Sequence, residues 1–152
     1  MTLQVGTVFK WEHFPFPRYS DETKPRWFIY LSETGPFAQI AWVYLCTTTT
    51  QTDRFQIGGS RAGHSYFKFE VRQFSLFEKD CIVDFDDPPH SIKKAQLLNK
   101  HCDISIKGRL KEETMRMIYN RFLQSGACAK KILLDIHDSF NREGISGLKK
   151  PK

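Results

Sequence analysis

Cysteine is sparse in this chain and is never closely paired. The four cysteines, Cys46, Cys81, Cys102 and Cys128, are far apart and form no CxxC pair, so the usual spacing of a zinc site is missing. Three of them lie within apolar or periodic segments, which predicts reduced core thiols. A glycine-rich nucleotide loop and an HExxH motif are also missing, and without such ligand sets the sequence implies neither a metal nor a cofactor.

Long apolar runs are missing as well. No stretch approaches the roughly 20 apolar residues that a membrane helix needs, and the chain does not open with a charged start followed by a long apolar segment. We therefore expect a cytoplasmic protein with no membrane partner. The 152 residues suit one domain, which we place over residues 1–146, and the polar, basic residues 147–152 predict a disordered tail.

Aromatic residues and positive charge are abundant. Thirteen Phe, five Tyr and three Trp make the chain 14% aromatic, a density that suits strands better than a helical bundle. Lys and Arg outnumber Asp and Glu by 23 to 17, which gives a formal charge of +6. This charge attracts polyanions such as RNA or DNA, although a basic surface that only maintains solubility explains it equally well.

The hydrophobic pattern predicts about six short strands followed by two helices. The strand-like runs, rich in aromatic and β-branched residues or alternating in polarity, are Val5 to Trp11, Trp27 to Ser32, Ile40 to Thr50, Ser65 to Arg72, Cys81 to Phe85 and Ile104 to Lys107. Apolar residues then recur at helical spacing in residues 110–124 and again from Cys128 to Phe140, before Gly144.

This order predicts a β-rich α+β fold, with a small, strongly curved antiparallel sheet covered by the C-terminal helices. The residues expected in its core are Phe28, Tyr30, Trp42, Tyr44 and Ile82.

Several passages, taken together, resemble the MazF/PemK-like toxins. They are Gly6 to Phe9 (GTVF), Lys24 to Ser32 (KPRWFIYLS), Val43 to Thr48 (VYLCTT), Cys81 to Ile92 (CIVDFDDPPHSI) and Ile106 to Leu110 (IKGRL) leading into a helix. The resemblance implies an SH3-like barrel and a metal-independent endoribonuclease that cuts single-stranded RNA by 2′-OH attack. It also implies a homodimer, with the RNA groove formed across the dimer interface, and a cognate antitoxin protein as partner.

The resemblance also suggests catalytic residues. Arg26 matches the family arginine, Thr47 and Thr48 its phosphate-contacting threonine region, and Asp86 its acidic residue. His90 is added because a histidine beside carboxylates suits proton transfer. Where some relatives have a second arginine two positions before the acidic residue, this chain has Asp84.

Further residues are expected to bind RNA, and two other functions remain open. The expected RNA contacts are Arg18, Lys24, Gln51 and His64. One alternative is a non-catalytic relative of the same fold that binds nucleic acid or a protein, which the missing second arginine favours. The other is an unrelated small-barrel adaptor, because such barrels host many functions.

Overall fold

The computed structural model describes residues 3–16, 24–35 and 38–152. The strands in chain order are β1 (Thr7–Trp11), β2 (Arg26–Glu33), β3 (Trp42–Thr47), β4 (Tyr66–Phe69), β5 (Cys81–Asp84), β6 (His90–Lys93) and β7 (Ile104–Arg109). The helices are α1 (Lys94–Asn99), α2 (Glu112–Ser125) and α3 (Lys130–Arg142), and short 3-10 turns cover Thr52–Phe55 and His101–Asp103. The described residues therefore form a mixed α+β fold.

The strands form two antiparallel sheets that meet at one point. Five strands pair in the order β6-β3-β2-β1-β7, while β4 pairs with β5. Thr49 and Ile82 join the two sheets, because the amide of each donates to the carbonyl of the other at 2.9 and 2.8 Å. The end of β3 is thereby tied to the start of the smaller sheet, and no closed barrel is formed by the described strands.

The larger sheet is buried on both faces, which explains the unbroken apolar run of β2. Successive side chains of a strand point to opposite faces, so Ile29 and Leu31 enter one core cluster while Phe28 and Tyr30 enter the other. The first cluster also contains the buried side chains of α2, α3 and the smaller sheet. The second is rich in rings, including Trp11.

Helix α3 is attached to β2 by buried serines. Ser32 and Ser139 are 0% and 3% exposed, and their hydroxyl oxygens are 2.7 Å apart. The Tyr44 hydroxyl also donates to an Asp135 carboxylate oxygen at 2.8 Å. This helix, whose stripe of apolar residues the sequence predicts, therefore covers the face of the sheet that carries Ile29.

The secondary-structure prediction is confirmed for the longer elements and incomplete for the short ones. Strand β6 and helix α1, both short, were not predicted. Of the expected core residues, Phe28, Tyr30, Tyr44 and Ile82 are buried, whereas Trp42 is partly buried against the first cluster.

Two further sequence expectations differ from the structure. Cys46, Cys81 and Cys128 are buried free thiols, but Cys102 is exposed, since it lies in a 3-10 turn outside either core. Residues 147–152, expected to be a disordered tail, instead lie against α2. There the Tyr119 hydroxyl donates to the Lys149 carbonyl at 2.5 Å, and Pro151 is buried. Among the described residues, no helix combines the length and apolar character that crossing a bilayer requires.

Candidate functional site

A cleft of about 500 Å³ opens where the two sheets meet. Its walls come from the start of β2, the end of β3 with the threonines that follow, strand β5, and the start of β6. The junction of Thr49 with Ile82 brings these elements together, and both residues line the cleft. The site therefore depends on contacts between segments that are distant in sequence.

Positive charge dominates the lining. Six basic residues contribute to it, namely Lys10, Lys24, Arg26, Arg54, Arg61 and Lys79, against the three acidic residues Glu78, Asp84 and Asp87. A concave surface lined mainly by one sign of charge concentrates oppositely charged ligands. The cleft therefore favours an anion.

Arg26 is the first residue of β2 and its side chain is available to a ligand. Its backbone is paired with Trp11 of β1, and its neighbour Trp27 is fixed between Lys107, whose Nζ lies 5.5 Å from the ring centroid, and Phe77. The half-buried guanidinium of Arg26 makes no hydrogen bond or ion pair with any described residue. A guanidinium can make paired hydrogen bonds to phosphate oxygens.

Thr47 and Thr48 both line the cleft, but their hydroxyls differ. Thr48 Oγ1 donates to the Trp27 carbonyl at 3.4 Å, and its side chain also hydrogen-bonds that of Cys81. Thr47 Oγ1 is screened from solvent and has no hydrogen-bond partner among the described residues. A buried polar group without a partner is destabilising, and the Thr47 hydroxyl is such a group beside the cleft.

His90, at the start of β6, also lines the cleft. Its ring meets the rings of Phe14 and Phe28 edge-on, with centroid separations of 5.3 and 5.7 Å. These two aromatic contacts orient a half-buried imidazole in the cleft, which Asp87 also lines. An imidazole held in this way is suited to accept or donate a proton.

Asp84 rather than Asp86 is central to the acidic side of the cleft. Asp84 Oδ2 is 3.0 Å from Arg61 Nη1 and 2.8 Å from His64 Nδ1. Asp86 is not among the residues that line the cleft, and its carboxylate accepts from the Ser65 amide at 2.8 Å. The turn after β5 therefore uses that carboxylate to hold the residue before β4, and the catalytic role expected for Asp86 stays a prediction.

His64, Asp84 and Asp86 place three potential metal-ligand atoms within 4.8 Å of one another. However, Arg61 contacts the same oxygen of Asp84 as His64 does, and the amide of Asp86 donates to its other oxygen at 3.0 Å. A guanidinium in contact with the carboxylate competes with a cation for that charge. The arrangement is therefore better explained as an ion-paired cluster than as a metal centre.

Cys81 is the one cysteine that lines the cleft among the described residues. Burial raises the pKa of its thiol to about 12, although the hydrogen bond with Thr48 acts in the opposite direction. Because the thiolate is the nucleophilic form, Cys81 is inert at neutral pH. The chemistry of the cleft is left to its arginines, hydroxyls, carboxylates and imidazole.

The predicted site residues divide into three groups. Those that line the cleft are Lys24, Arg26, Thr47, Thr48, Gln51 and His90. Asp86 and His64 lie outside the lining, and Arg18 lies outside the described residues. Four further basic residues line the cleft without having been predicted, namely Lys10, Arg54, Arg61 and Lys79. The signal for two of them was a pair of arginines that follow the threonine run in a glycine-containing segment.

Comparisons with known proteins add no relative to this picture. No family model, no curated protein and no solved structure matches the chain. The resemblance to MazF/PemK-like proteins therefore depends on the quoted sequence passages, and function must be argued from the chemistry of the cleft.

Proposed function

We propose that this chain is a metal-independent endoribonuclease of the MazF/PemK-like toxin type, which cuts single-stranded RNA in the cleft. One observation carries the proposal. The cationic cleft holds both an arginine without an ion pair to any described residue, Arg26, and a threonine hydroxyl without a partner among them, Thr47. Arg26 provides paired donors that suit a phosphate group, and the Thr47 hydroxyl, screened from solvent in this structure, would add a donor once rotation about its Cα–Cβ bond turns it to the cleft.

The proposed reaction begins with attack of a ribose 2′-OH on the adjacent phosphorus. The new P–O2′ bond forms as the P–O5′ bond breaks, which leaves a 2′,3′-cyclic phosphate and a 5′-hydroxyl. Arg26 and Thr47 stabilise the negative charge that accumulates on the nonbridging oxygens. His90 transfers a proton during the reaction, because its ring lies in the same cleft and is oriented by Phe14 and Phe28.

We also propose the assembly that the resemblance implies. The two sheets, joined at Thr49 and Ile82, would represent an open form of an SH3-like barrel. Two copies would form a homodimer with a shared RNA groove, and a cognate antitoxin protein would block it. Lys24 and Gln51, which line the cleft, would contact the RNA strand.

Substitution of Arg26 tests the proposal. The purified protein is incubated with a long single-stranded RNA in chelator, and fragments ending in 2′,3′-cyclic phosphate are expected. Arg26→Ala should lower the cleavage rate about a hundredfold or more, since removal of one transition-state donor has an effect of this order. Arg26→Lys should restore little, because a point charge lacks the paired geometry.

The fold provides a control for that experiment. Arg26→Ala should leave the melting temperature almost unchanged, because its side chain makes no ion pair with a described residue. Arg72, which is exposed and paired with Glu70, is a matched substitution outside the cleft and should cut like the wild type. Equal cleavage by the Arg26→Ala variant would contradict the proposal.

The position of Asp86 favours a second candidate function. If proton transfer in this fold required that carboxylate, its engagement by the Ser65 amide would leave a protein that binds RNA without cutting it. Arg26→Ala would then weaken RNA affinity and reduce its salt dependence by about one phosphate contact. No cyclic-phosphate fragments would form with either protein.

A further inference from the structure

We infer that the indole ring of Trp27 binds an unpaired base of the RNA, next to the phosphate that Arg26 contacts. The inference rests on the proposed function and deepens it, because it names the part of the substrate that a base-paired duplex withholds. It comes from the exposure and the contacts of one ring in the cleft.

Trp27 is the large aromatic ring of the cleft that a ligand can reach. The phenyl and indole rings in the lining belong to Phe14, Trp27, Phe28 and Phe77. The three phenylalanines are 2%, 0% and 3% exposed, so they serve the core, whereas Trp27 is half-buried. Among the described residues of the lining, the indole therefore offers the broad apolar surface on which a base can stack.

The backbone of Trp27 is held on both sides. It pairs with Lys10 of β1, and its carbonyl accepts from the Thr48 amide at 3.1 Å and from the Thr48 hydroxyl at 3.4 Å. An aromatic side chain turns about only two bonds, so binding a ligand costs it little conformational entropy. The ring is therefore organised before a ligand arrives.

Two neighbours restrict the ring and still leave it half-buried. The Phe77 ring is tilted by 46° to it, with the centroids 6.0 Å apart, and Lys107 Nζ lies 5.5 Å from the indole centroid. Lys107 is exposed and does not line the cleft. The ammonium therefore approaches the indole from outside the cleft, and the part of the ring that lines the cleft stays open to a base.

Arg26 and Trp27 are consecutive residues at the start of β2. Their side chains leave the strand on opposite faces, and both line the cleft. A nucleotide likewise carries its phosphate and its base on different sides of the sugar. The start of β2 therefore presents a cation and an aromatic ring, the two groups that bind one nucleotide unit.

The chemistry of the ring defines which substrate it selects. Every base has a π face, so stacking on an aromatic side chain tolerates any sequence. In a duplex the bases are paired and stacked on one another, and only a single strand can turn a base towards a protein ring. Trp27 should therefore select for unpaired RNA and contribute little to the choice of base.

Binding to probes with and without free bases tests the inference. The three dye-labelled probes are a 2′-O-methyl RNA single strand, which cannot be cut because the attacking hydroxyl is blocked, the same strand annealed to its complement, and an abasic strand with the same number of phosphates. Trp27→Leu should weaken binding of the single strand about tenfold and leave binding of the other two unchanged. Arg26→Ala should weaken binding of all three and reduce the salt dependence by about one phosphate contact.

Trp42 provides a matched control. It is a half-buried tryptophan that packs against the same core cluster as Trp27, and Lys93 Nζ lies 5.9 Å from its ring centroid. It does not line the cleft. Trp42→Leu should therefore bind all three probes like the wild type. An equal loss of single-strand affinity in Trp42→Leu and Trp27→Leu would overturn the inference, because packing alone would then explain both.

Indole fluorescence gives a second measurement on the wild-type protein, so the test does not depend on how well a variant folds. A stacked base quenches the emission, and we expect quenching at saturation with the single strand but not with the abasic strand. Trp27→Phe keeps an aromatic ring and should bind the single strand almost as tightly, but the quenching should disappear, since Trp11 is buried and Trp42 lies outside the lining. No quenching in the wild type, or equal quenching in Trp27→Phe, would overturn the inference.

The outcomes separate this inference from the proposed function. If the wild type cuts RNA in an Arg26-dependent manner but Trp27→Leu binds the single strand equally tightly, the base contact is wrong and the proposed function stands. If Trp27→Leu loses affinity for the single strand and the abasic strand alike, the ring only shapes the cleft and the inference is also wrong. If Trp27-dependent binding occurs without cleavage, the base contact stands and the protein binds RNA without cutting it. If the wild type binds none of the probes, both proposals fall.

Discussion

At the scale of single residues, the structure distinguishes two threonines that the sequence could not. The run Thr47 to Thr50 leaves open which hydroxyl is the one expected to contact a phosphate, since any strand end accepts β-branched residues. The hydrogen-bond partners of the two hydroxyls differ. The Thr48 hydroxyl donates to a backbone carbonyl, whereas the buried Thr47 hydroxyl has no partner among the described residues. Hydrogen-bond satisfaction depends on a neighbouring chain segment, which a local sequence pattern does not contain.

Replacement by valine should therefore affect different properties at the two positions: the cleavage rate at Thr47 and the free energy of unfolding at Thr48. Thr47→Val removes a buried hydroxyl without a described partner, so the free energy of unfolding should be unchanged or raised, while RNA cleavage falls about tenfold or more. Thr48→Val loses the bond to the Trp27 carbonyl and should cost about 0.5–1.5 kcal/mol. Urea unfolding and initial cleavage rates measure the two effects. A destabilised Thr47→Val variant with normal activity would contradict this assignment.

At the scale of structural elements, a pH-dependent hydrogen-bonded pair, His13 and Asp103, holds the segment after β1 in place. The His13 amide and Nδ1 both lie 2.8 Å from oxygens of Asp103. Hydrogen bonding and charge from Asp103 raise the pKa of His13 above 6.5, and the hydrogen bond from His13 lowers the pKa of Asp103 below 3.8. The pair therefore links the loop after β1 to the turn that precedes β7.

The direction of both shifts defines the pH range in which this pair contributes. The histidine contribution is complete below pH 6.5 and is lost as the pH rises through the raised pKa. The aspartate contribution is complete above pH 3.8 and is lost as the pH falls through the lowered pKa. The full stabilising effect is therefore expected between these two values.

His13→Gln should accordingly reduce the free energy of unfolding more at pH 5.5 than at pH 8.5. Chemical unfolding at the two pH values measures this difference, and His101→Gln is the matched control, since its ring contacts the Leu98 carbonyl rather than a carboxylate. In Asp103→Asn, the NMR titration of His13 should move back towards pH 6.5. An unchanged titration would show that Asp103 does not hold the imidazole.

The elements that the sequence did not predict were short and depended on neighbours. Strand β6 has four residues and follows Pro88 and Pro89, and within it only Ile92 is buried. It is a strand because it pairs with β3 over four positions, a long-range contact that its own pattern does not show. By contrast, β2 carries an unbroken apolar run and α3 a periodic apolar stripe, and each is enough to be predicted from local sequence.

At the scale of the whole molecule, the larger sheet is buried on both faces, and this predicts which side-chain truncations lower the free energy of unfolding. Ile29 is fully buried in the cluster shared by β2, α2 and α3. Ile29→Ala should lower the free energy of unfolding by about 2–5 kcal/mol through lost burial and a residual cavity. Ile57, which is fully exposed, is the control, and its replacement by alanine should change stability by no more than about 0.5 kcal/mol. Equal effects in denaturant unfolding would contradict the assigned core.

The cleft is assembled from segments that are distant in sequence, and for this reason the sequence predicts only some of the residues that line it. Arg26 and Thr47 lie in or next to strands that the pattern located, whereas His90 begins β6, which the pattern did not locate, and all three line the cleft. Arg61 was missed because its contact in the cleft is with Asp84, which is 23 residues away. Asp84 and Asp86 look alike in the sequence, whereas the structure gives them different partners: Arg61 and His64 contact Asp84, and the Ser65 amide donates to Asp86.

The distribution of thiols makes the unaltered chain suitable for fluorescent labelling. Cys46, Cys81 and Cys128 are buried and burial raises the pKa of each, whereas Cys102 is exposed and does not line the cleft. A maleimide dye should therefore attach once per folded molecule, at Cys102. In a titration with an oligonucleotide, such a dye would report whether the tumbling of the protein slows, without an engineered cysteine and without a substitution in the cleft.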